Sequence, residues 1–195
     1  MEYFIDREDE RIKDQREGHS LFESAMDALS LCEFDNAAKL FRRVLLAHDM
    51  HPFLSEEEVL IAKEGLGIAL MNDELEQEEG IKQLEDVTRS LYKLKGPTDM
   101  VMLSSLNALA EAHVLVSDYQ KAIKIFKEEI RLLENRSDTE EEILSVRFEI
   151  AETHQKAGML DKAITELNDL LTHPLDNHMK GSVYTILAKC YFALD

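Results

Sequence analysis

The segment SDYQKAIKIFKEEI, residues 117–130, combines a polar turn with an amphipathic helical pattern. Ala122 and Phe126 are four residues apart, so both lie on one face of the predicted helix. A small side chain lets a neighbouring helix approach closely, and the bulky side chain four residues later fills the groove beside the crossing. The segment therefore predicts a helix that packs tightly against another helix.

The same small-then-bulky pair occurs in three other segments. They are EFDNAAKLFRRVL at 33–45, EQEEGIKQLEDVT at 76–88 and GMLDKAITELNDLL at 158–171. The four small residues recur every 41 to 43 positions, and a second helical pattern precedes each of them. This spacing is typical of repeated helix–turn–helix units. We therefore predict an all-α solenoid of antiparallel helix pairs, with four pairs and one terminal helix.

Composition and local signals agree with helices. Only seven Gly and three Pro occur in 195 residues, so helix breakers are few. The segments 55–58 and 139–142 have the pattern of capping boxes, which begin helices. Gly96-Pro97 and Pro174 indicate helix ends.

These signals divide the chain into a charged extension and one array. We predict the extension at residues 1–17 and the array at residues 18–195. The repeats are predicted at about 18–50, 56–95, 98–135 and 139–174, with a terminal half-repeat at 177–194.

The third and fourth repeats resemble a known family. DYQKAI followed by Phe126 (118–126) and GMLDKAI (158–164) are similar to the second-helix signature of tetratricopeptide repeats (TPR). The resemblance covers about residues 18–194. A period of 41 to 43 resembles the lengthened repeats of kinesin light chain, Pins/LGN scaffolds and Rap-type bacterial regulators. Two departures are Gly80 in place of alanine and Glu129 where a small or apolar residue is expected.

The resemblance implies a TPR-like superhelix in which the first helices of the repeats line a concave groove. The groove residues implied are Phe22, Met26, Glu64, Ile68, Met71, Asn107, Glu111, Phe148, Glu152 and Gln155. The first half of this set is mainly apolar and the second half polar and acidic, so we expect a basic or amphipathic segment of a partner to bind there. For Ile68, packing against neighbouring helices explains the side chain equally well.

The expected function is that of a scaffold or adaptor that binds a peptide or helical segment of another protein. An alternative is a peptide-responsive regulator of the Rap type, although the sequence contains no visible output module. A third alternative is an enzyme, but the sequence offers no nucleophile–base set, no Gly-rich phosphate loop and no HExxH or CxxC motif. We expect no catalytic residues, no metal and no cofactor.

The formal net charge of −18 restricts the class of partner. Such a field repels nucleic-acid phosphates and anionic membrane surfaces. No apolar run reaches the length of a membrane span, and the N-terminal residues are charged where a signal peptide is apolar. We expect a cytoplasmic or nuclear protein that binds neither nucleic acid nor membranes.

The last predicted helix stays apolar to its end. A solenoid normally closes with a helix whose outer face is polar. Here the outer face would carry Tyr184, Tyr191, Phe192 and Leu194. We therefore expect either that the array continues in a longer chain or that a second copy covers this helix.

Overall fold

A computed structural model describes residues 2–194 of the chain, and it describes their side chains from residue 15 onward. All regular elements in these residues are α-helices. The helices are α1 (Glu2–Ser30), α2 (Phe34–Met50), α3 (Glu56–Leu70), α4 (Gln77–Lys95), α5 (Met100–Leu115), α6 (Tyr119–Leu133), α7 (Glu140–Lys156), α8 (Leu160–Leu170) and α9 (Asn177–Phe192). Within these described residues, the predicted fold class of four helix pairs and one terminal helix is confirmed.

The long first helix includes most of the segment that the sequence assigned to a separate extension. α1 begins at Glu2 and continues to Ser30, so residues 2–17 and the start of the first repeat form one helix. The chain folds as two compact units, which divide between Leu94 and Lys95. The first unit is built from α1 to α4 and the second from α5 to α9. A single continuous array over residues 18–195 stays a sequence prediction.

The first unit is held together by close helix crossings at small residues. Ala37 and Phe41 on α2 are completely buried, as the small-then-bulky pattern predicts. The ring of Phe41 lies against Gly65 on α3, where an added Cβ would be only 2.3 Å from the ring's Cζ. α1 packs against both α2 and α3. The small residues thus set how closely the helices of this unit approach.

The glycine of the second repeat has a structural reason. A Cβ added at Gly80 on α4 would lie 2.9 Å from the backbone carbonyl oxygen of Gly67 on α3 and 3.0 Å from the sulfur of Met71. A Cβ added at Gly67 would lie 2.9 Å from Cγ of Leu84. The two backbones are too close for an alanine. Glycine therefore stands where the other three repeats have the predicted alanine.

The second unit repeats the small-then-bulky packing. Ala122 and Phe126 on α6, and Ala163 and Leu167 on α8, are all at most 1% exposed. α6 packs between α5 and α7, and α8 packs between α7 and α9. α7 and α9 also contact each other directly, as first helices of successive repeats should.

A left-handed turn joins the two helices of three repeats. Cys32, Ser117 and Gly158 have φ values of 58°, 61° and 73°. The amide of the following residue bonds back to a carbonyl in the first helix, for example Asp118 to His113 at 2.8 Å. This is the Schellman type of helix end, which favours glycine. The backbone conformation of the turn is thus the same in these three repeats, although the residue in the left-handed position differs.

The two predicted capping boxes have different outcomes. The first is confirmed: the amide of Glu58 donates to Ser55 Oγ at 3.2 Å, and Glu58 Oε2 accepts from the amide of Ser55 at 2.8 Å. The second is wrong. The hydroxyl of Thr139 is buried and donates at 2.9 Å to the carbonyl of Leu133, so it faces the preceding turn and is not available to the start of α7.

The predicted helix ends also differ in outcome. α4 ends at Lys95, directly before Gly96, which has a φ of 92°. α8 already ends at Leu170, ahead of Pro174. The amides of Thr172 and His173 bond at 3.0 Å to carbonyls three residues earlier, so the chain tightens before the proline is reached.

Candidate functional site

In the first unit, the implied groove residues differ in how far they are open to a partner. Met26 is 37% exposed, whereas Phe22 is partly buried and packs against the core between α1 and α2. Glu64 and Ile68 on α3 are half-buried. Met71 is only 3% exposed, because its side chain occupies the space beside Gly80 that a larger residue would fill. Met71 is therefore a core residue and not a contact for a partner, contrary to what the resemblance implied.

In the second unit, an amide group joins two acidic side chains. Nδ2 of Asn107 on α5 donates to Oε2 of Glu149 on α7 at 3.0 Å and to Oε2 of Glu129 on α6 at 3.3 Å. Glu129 is only 5% exposed. The three helices of one and a half repeats are thus linked through polar side chains, and the two donor hydrogens of the Asn107 amide are both directed at carboxyl groups.

The pKa of both of these carboxyl groups is raised. The pKa of Glu129 is raised to about 7 mainly by burial and in part by the charges of Glu149 and Glu111, while the hydrogen bond from Asn107 opposes the rise. The pKa of Glu149 is also raised to about 7, and burial is again the main cause. Glu111 and Glu152 add to that rise, while Asn107 and Lys156 oppose it. Near neutral pH this pair therefore binds and releases protons as a coupled system.

An acidic cleft opens next to this pair. It has a volume of about 230 Å³, and its lining includes the carboxylate-bearing residues Glu111, Glu149 and Glu152, the cation Lys156 and the apolar residues Val114 and Leu115. Desolvation in the cleft raises the pKa of Glu111, Lys156 lowers it and Glu152 raises it. Nζ of Lys156 lies 3.5 Å from Glu152 Oε1. We call Glu111, Glu149 and Glu152 the acidic triad.

A second cleft continues from the same carboxylate toward α9. It has a volume of about 570 Å³ and is bordered by Phe148 and Glu152 of α7 and by His178, Ser182 and Thr185 of α9. Glu152 borders both clefts. The two clefts together thus offer carboxylates, the ring of Phe148 and the hydroxyl groups of Ser182 and Thr185.

The structure brings together some of the residues predicted for the groove. Glu111 and Glu152 line one cleft, Phe148 lines the next, and Asn107 lies behind the acidic triad, where it holds Glu149. Gln155 is half-buried on α7.

Two functional candidates, Glu129 and Glu149, were missed by the sequence analysis. The signal for Glu129 was present, since an acidic residue stood at a position where the family pattern is small or apolar. Glu149 directly follows Phe148 on α7 and therefore points about 100° away from it, toward Asn107 of α5.

The described residues contain no group of three or more His, Cys, Asp or Glu side chains arranged to hold a metal ion. Nδ1 of His48 accepts hydrogen bonds from the amides of Phe53 and Leu54 at 3.1 and 3.0 Å. Across the helices of residues 2–194, we find none with the length and apolar character that a membrane span requires.

Comparisons with known proteins support the fold. No family model and no curated protein matches the sequence. The structure is similar to a kinesin-light-chain-like protein of Podosopora anserina with nearly identical TPR-like repeats, with a TM-score of 0.71 and 20% identity, over 92% of this chain and 87% of that chain. It is also similar to BtubC (BKLC) from P. vanneervenii, with a TM-score of 0.67 and 13% identity, over 82% and 67% of the two chains. The fold is therefore a TPR-like α-solenoid, as the resemblance implied.

Proposed function

We propose that the protein is an interaction scaffold and that its second unit binds a basic segment of a partner protein at the acidic triad. The observation that carries the proposal is that three carboxylates from α5 and α7 border one cleft. Two of them have a pKa that is raised mainly by desolvation and in part by neighbouring carboxylates. A Lys or Arg side chain placed in the cleft would relieve this repulsion, so a cation gains binding energy there.

The apolar part of the cleft fits the same ligand. Leu115 is 61% exposed and lines the cleft together with the half-buried Val114. Lys and Arg carry long aliphatic stems that lie along apolar surface while the charged group reaches a polar site. A single long basic side chain thus matches both the carboxylates and the apolar wall.

The wider proposal follows from the fold. TPR-like neighbours support a protein-interaction scaffold in general, since stacked repeats expose extended surfaces. Met26, Glu64 and Ile68 of the first unit stay proposed contacts, and no catalytic role is proposed for any residue.

The test is a selection from a random peptide-display library, followed by affinity measurements on the selected peptides. The native protein should enrich peptides rich in Lys and Arg. The double variant Glu111→Lys/Glu152→Lys should bind these peptides at least about tenfold more weakly, and binding to the native protein should weaken as salt is added.

The matched control is Glu23→Lys/Asp49→Lys, which changes the net charge equally at exposed positions of the first unit. It should bind the selected peptides almost as the native protein does. Equal losses in the two double variants would mean that only the net charge matters. Selected peptides without basic residues would contradict the proposal directly.

A further inference from the structure

The terminal helix α9 has an apolar face on each side. Its buried face packs on the second unit through Val183, Ile186, Leu187 and Cys190. The opposite face carries large side chains that are open to solvent. Their exposed fractions are 59% for Tyr184, 52% for Tyr191 and 86% for Phe192, and Leu194 just beyond the helix is 54% exposed. A helix that is apolar on both sides is normally covered on both sides.

The exposed face has the spacing of a helix-packing surface. Gly181, Tyr184, Ala188 and Tyr191 follow one another at intervals of three, four and three residues, which is the a and d pattern of a heptad. Small and large residues alternate along this stripe. Gly181 and Ala188 are exposed, and among the described residues nothing lies within 4 Å of a Cβ added at Gly181. The stripe therefore offers small positions that another helix can approach and aromatic rings that can pack beside it.

Positive charge lies at both edges of the exposed apolar sector that this stripe forms together with Phe192. A helix turns by about 100° per residue, which places exposed Lys180 and Lys189 about half a turn apart, with the rings of Tyr184, Tyr191 and Phe192 between them. α9 contains these two lysines and no Asp or Glu, in a chain whose net charge is −18. The basic margins are thus a local property of this helix.

We propose that the outer face of α9 docks an amphipathic helix of another protein, one whose apolar stripe is flanked by Asp and Glu. The positive charge on both margins favours a helix of this kind, because carboxylates beside its apolar stripe would lie close to Lys180 and Lys189. The sequence analysis considered a second copy at this place. Two copies of α9 facing each other would supply only lysines to the margins, so that pairing lacks complementary charge.

The α9 face is chemically opposite to the acidic triad. The triad is proposed to bind a basic segment, whereas the outer face of α9 is proposed to bind an acidic helix. The two proposals therefore predict opposite preferences for charge, and each can fail without the other.

The test uses two synthetic helical peptides of about three heptads that bind the full chain. Both have Leu at a and d; one has Glu at e and g, and its twin has Lys there. In fluorescence anisotropy at about 0.15 M salt, the acidic peptide should bind at least about tenfold more tightly to the variant Glu111→Gln/Glu152→Gln than the basic twin does. This background variant removes the triad as a competing site for the basic peptide.

Three further variants, made in the same background, locate the site. Lys180→Glu/Lys189→Glu should reverse the preference between the peptides, and Phe192→Glu should weaken the acidic peptide at least about tenfold. Exposed Lys162→Glu on α8 should leave the preference unchanged. Far-UV circular dichroism verifies that each variant stays folded.

Equal binding of the two peptides, or binding of neither, would overturn the proposal. So would a dimer in sedimentation that Phe192→Glu dissociates and that the acidic peptide cannot displace, because the occupant would then be a second copy.

Discussion

Asn107 shows how much of the second unit depends on single polar atoms. Its amide donates to Glu129 and Glu149, and both acceptors have a pKa of about 7. A buried carboxylate costs free energy unless it is neutralised or well hydrogen-bonded. Below pH 7 protonation removes most of that cost, and above pH 7 the amide is left to oppose the repulsion between the two charges. The spacing of residues within one helix cannot reveal this interaction, because Asn107, Glu129 and Glu149 lie on three different helices.

The stability of the second unit should therefore fall as the pH rises toward 7. An unfolded Glu has a pKa near 4.3, so between about pH 4.5 and 7 the folded state binds more protons at Glu129 than the unfolded state does. The free energy of unfolding then decreases across this window and is lowest, for this group, above pH 7. Glu129→Gln should raise it by roughly 2 kcal/mol at pH 8 and change it little at pH 5, as denaturant titrations would measure.

The adjacent residue on α6 provides the control. A hydrogen bond from Arg131 lowers the pKa of Glu128, so this group stabilises the folded state above its unfolded pKa and loses the effect as the pH falls. Glu128→Gln should accordingly lower stability at pH 8, the opposite sign to Glu129→Gln. The same sign in both variants would mean that burial does not control Glu129.

At the scale of elements, the close crossing of α3 and α4 depends on two glycines. Gly80 replaces the alanine that the other repeats carry, and its backbone lies against Gly67. The sequence could show that Gly80 departed from the pattern, but not why. The reason is the separation of two helix axes, which belongs to the packed pair and to neither segment alone.

Gly80→Ala should destabilise the first unit. The added Cβ would meet the carbonyl oxygen of Gly67 at 2.9 Å, and a backbone atom cannot move aside as a flexible side chain can. We expect the free energy of unfolding to fall by about 1–3 kcal/mol in a denaturant titration. Gly181→Ala on α9 is the matched control: its Cβ enters open space, so the higher helix propensity of Ala should raise stability by about 0.5–1 kcal/mol. A stabilising Gly80→Ala would contradict the close crossing.

Across the whole molecule, the sequence predicted the features that depend on residues close together in the chain. It did not predict the features that depend on contacts between distant helices and turns. The helix pairs followed from small residues such as Ala122 and Ala163, because helical spacing and burial act over a few residues. The capping interaction of Thr139 was predicted wrongly, since a carbonyl in the preceding turn competed for its hydroxyl. Glu111 and Glu152, which the resemblance implied for the groove, line one cleft in the structure. Glu149 required the packing of α5 against α7 to be known.

The acidic triad should make the free protein less stable and its ligand binding stronger. Burial raises the pKa of Glu149 to about 7, with a smaller contribution from the neighbouring carboxylates Glu111 and Glu152, so its charged form destabilises the folded state. Glu149→Gln should therefore raise the melting temperature at pH 8 and weaken a selected basic peptide at least about tenfold. A Glu149→Gln variant that is stabilised but binds the peptide as the native protein does would show that Glu149 is not part of the binding site.

The same group gives binding a pH dependence with a defined sign. Lowering the pH through 7 protonates Glu149 and removes its attraction for a cation, so the affinity for the basic peptide should fall by up to about tenfold per pH unit between pH 7 and 6. A bound cation lowers the pKa of this carboxyl group, so peptide binding at pH 7 should release protons. Calorimetry in two buffers of different ionisation enthalpy measures that release, and Glu149→Gln should abolish most of it. Proton uptake, or an affinity that rises toward pH 6, would show that the basic segment binds elsewhere.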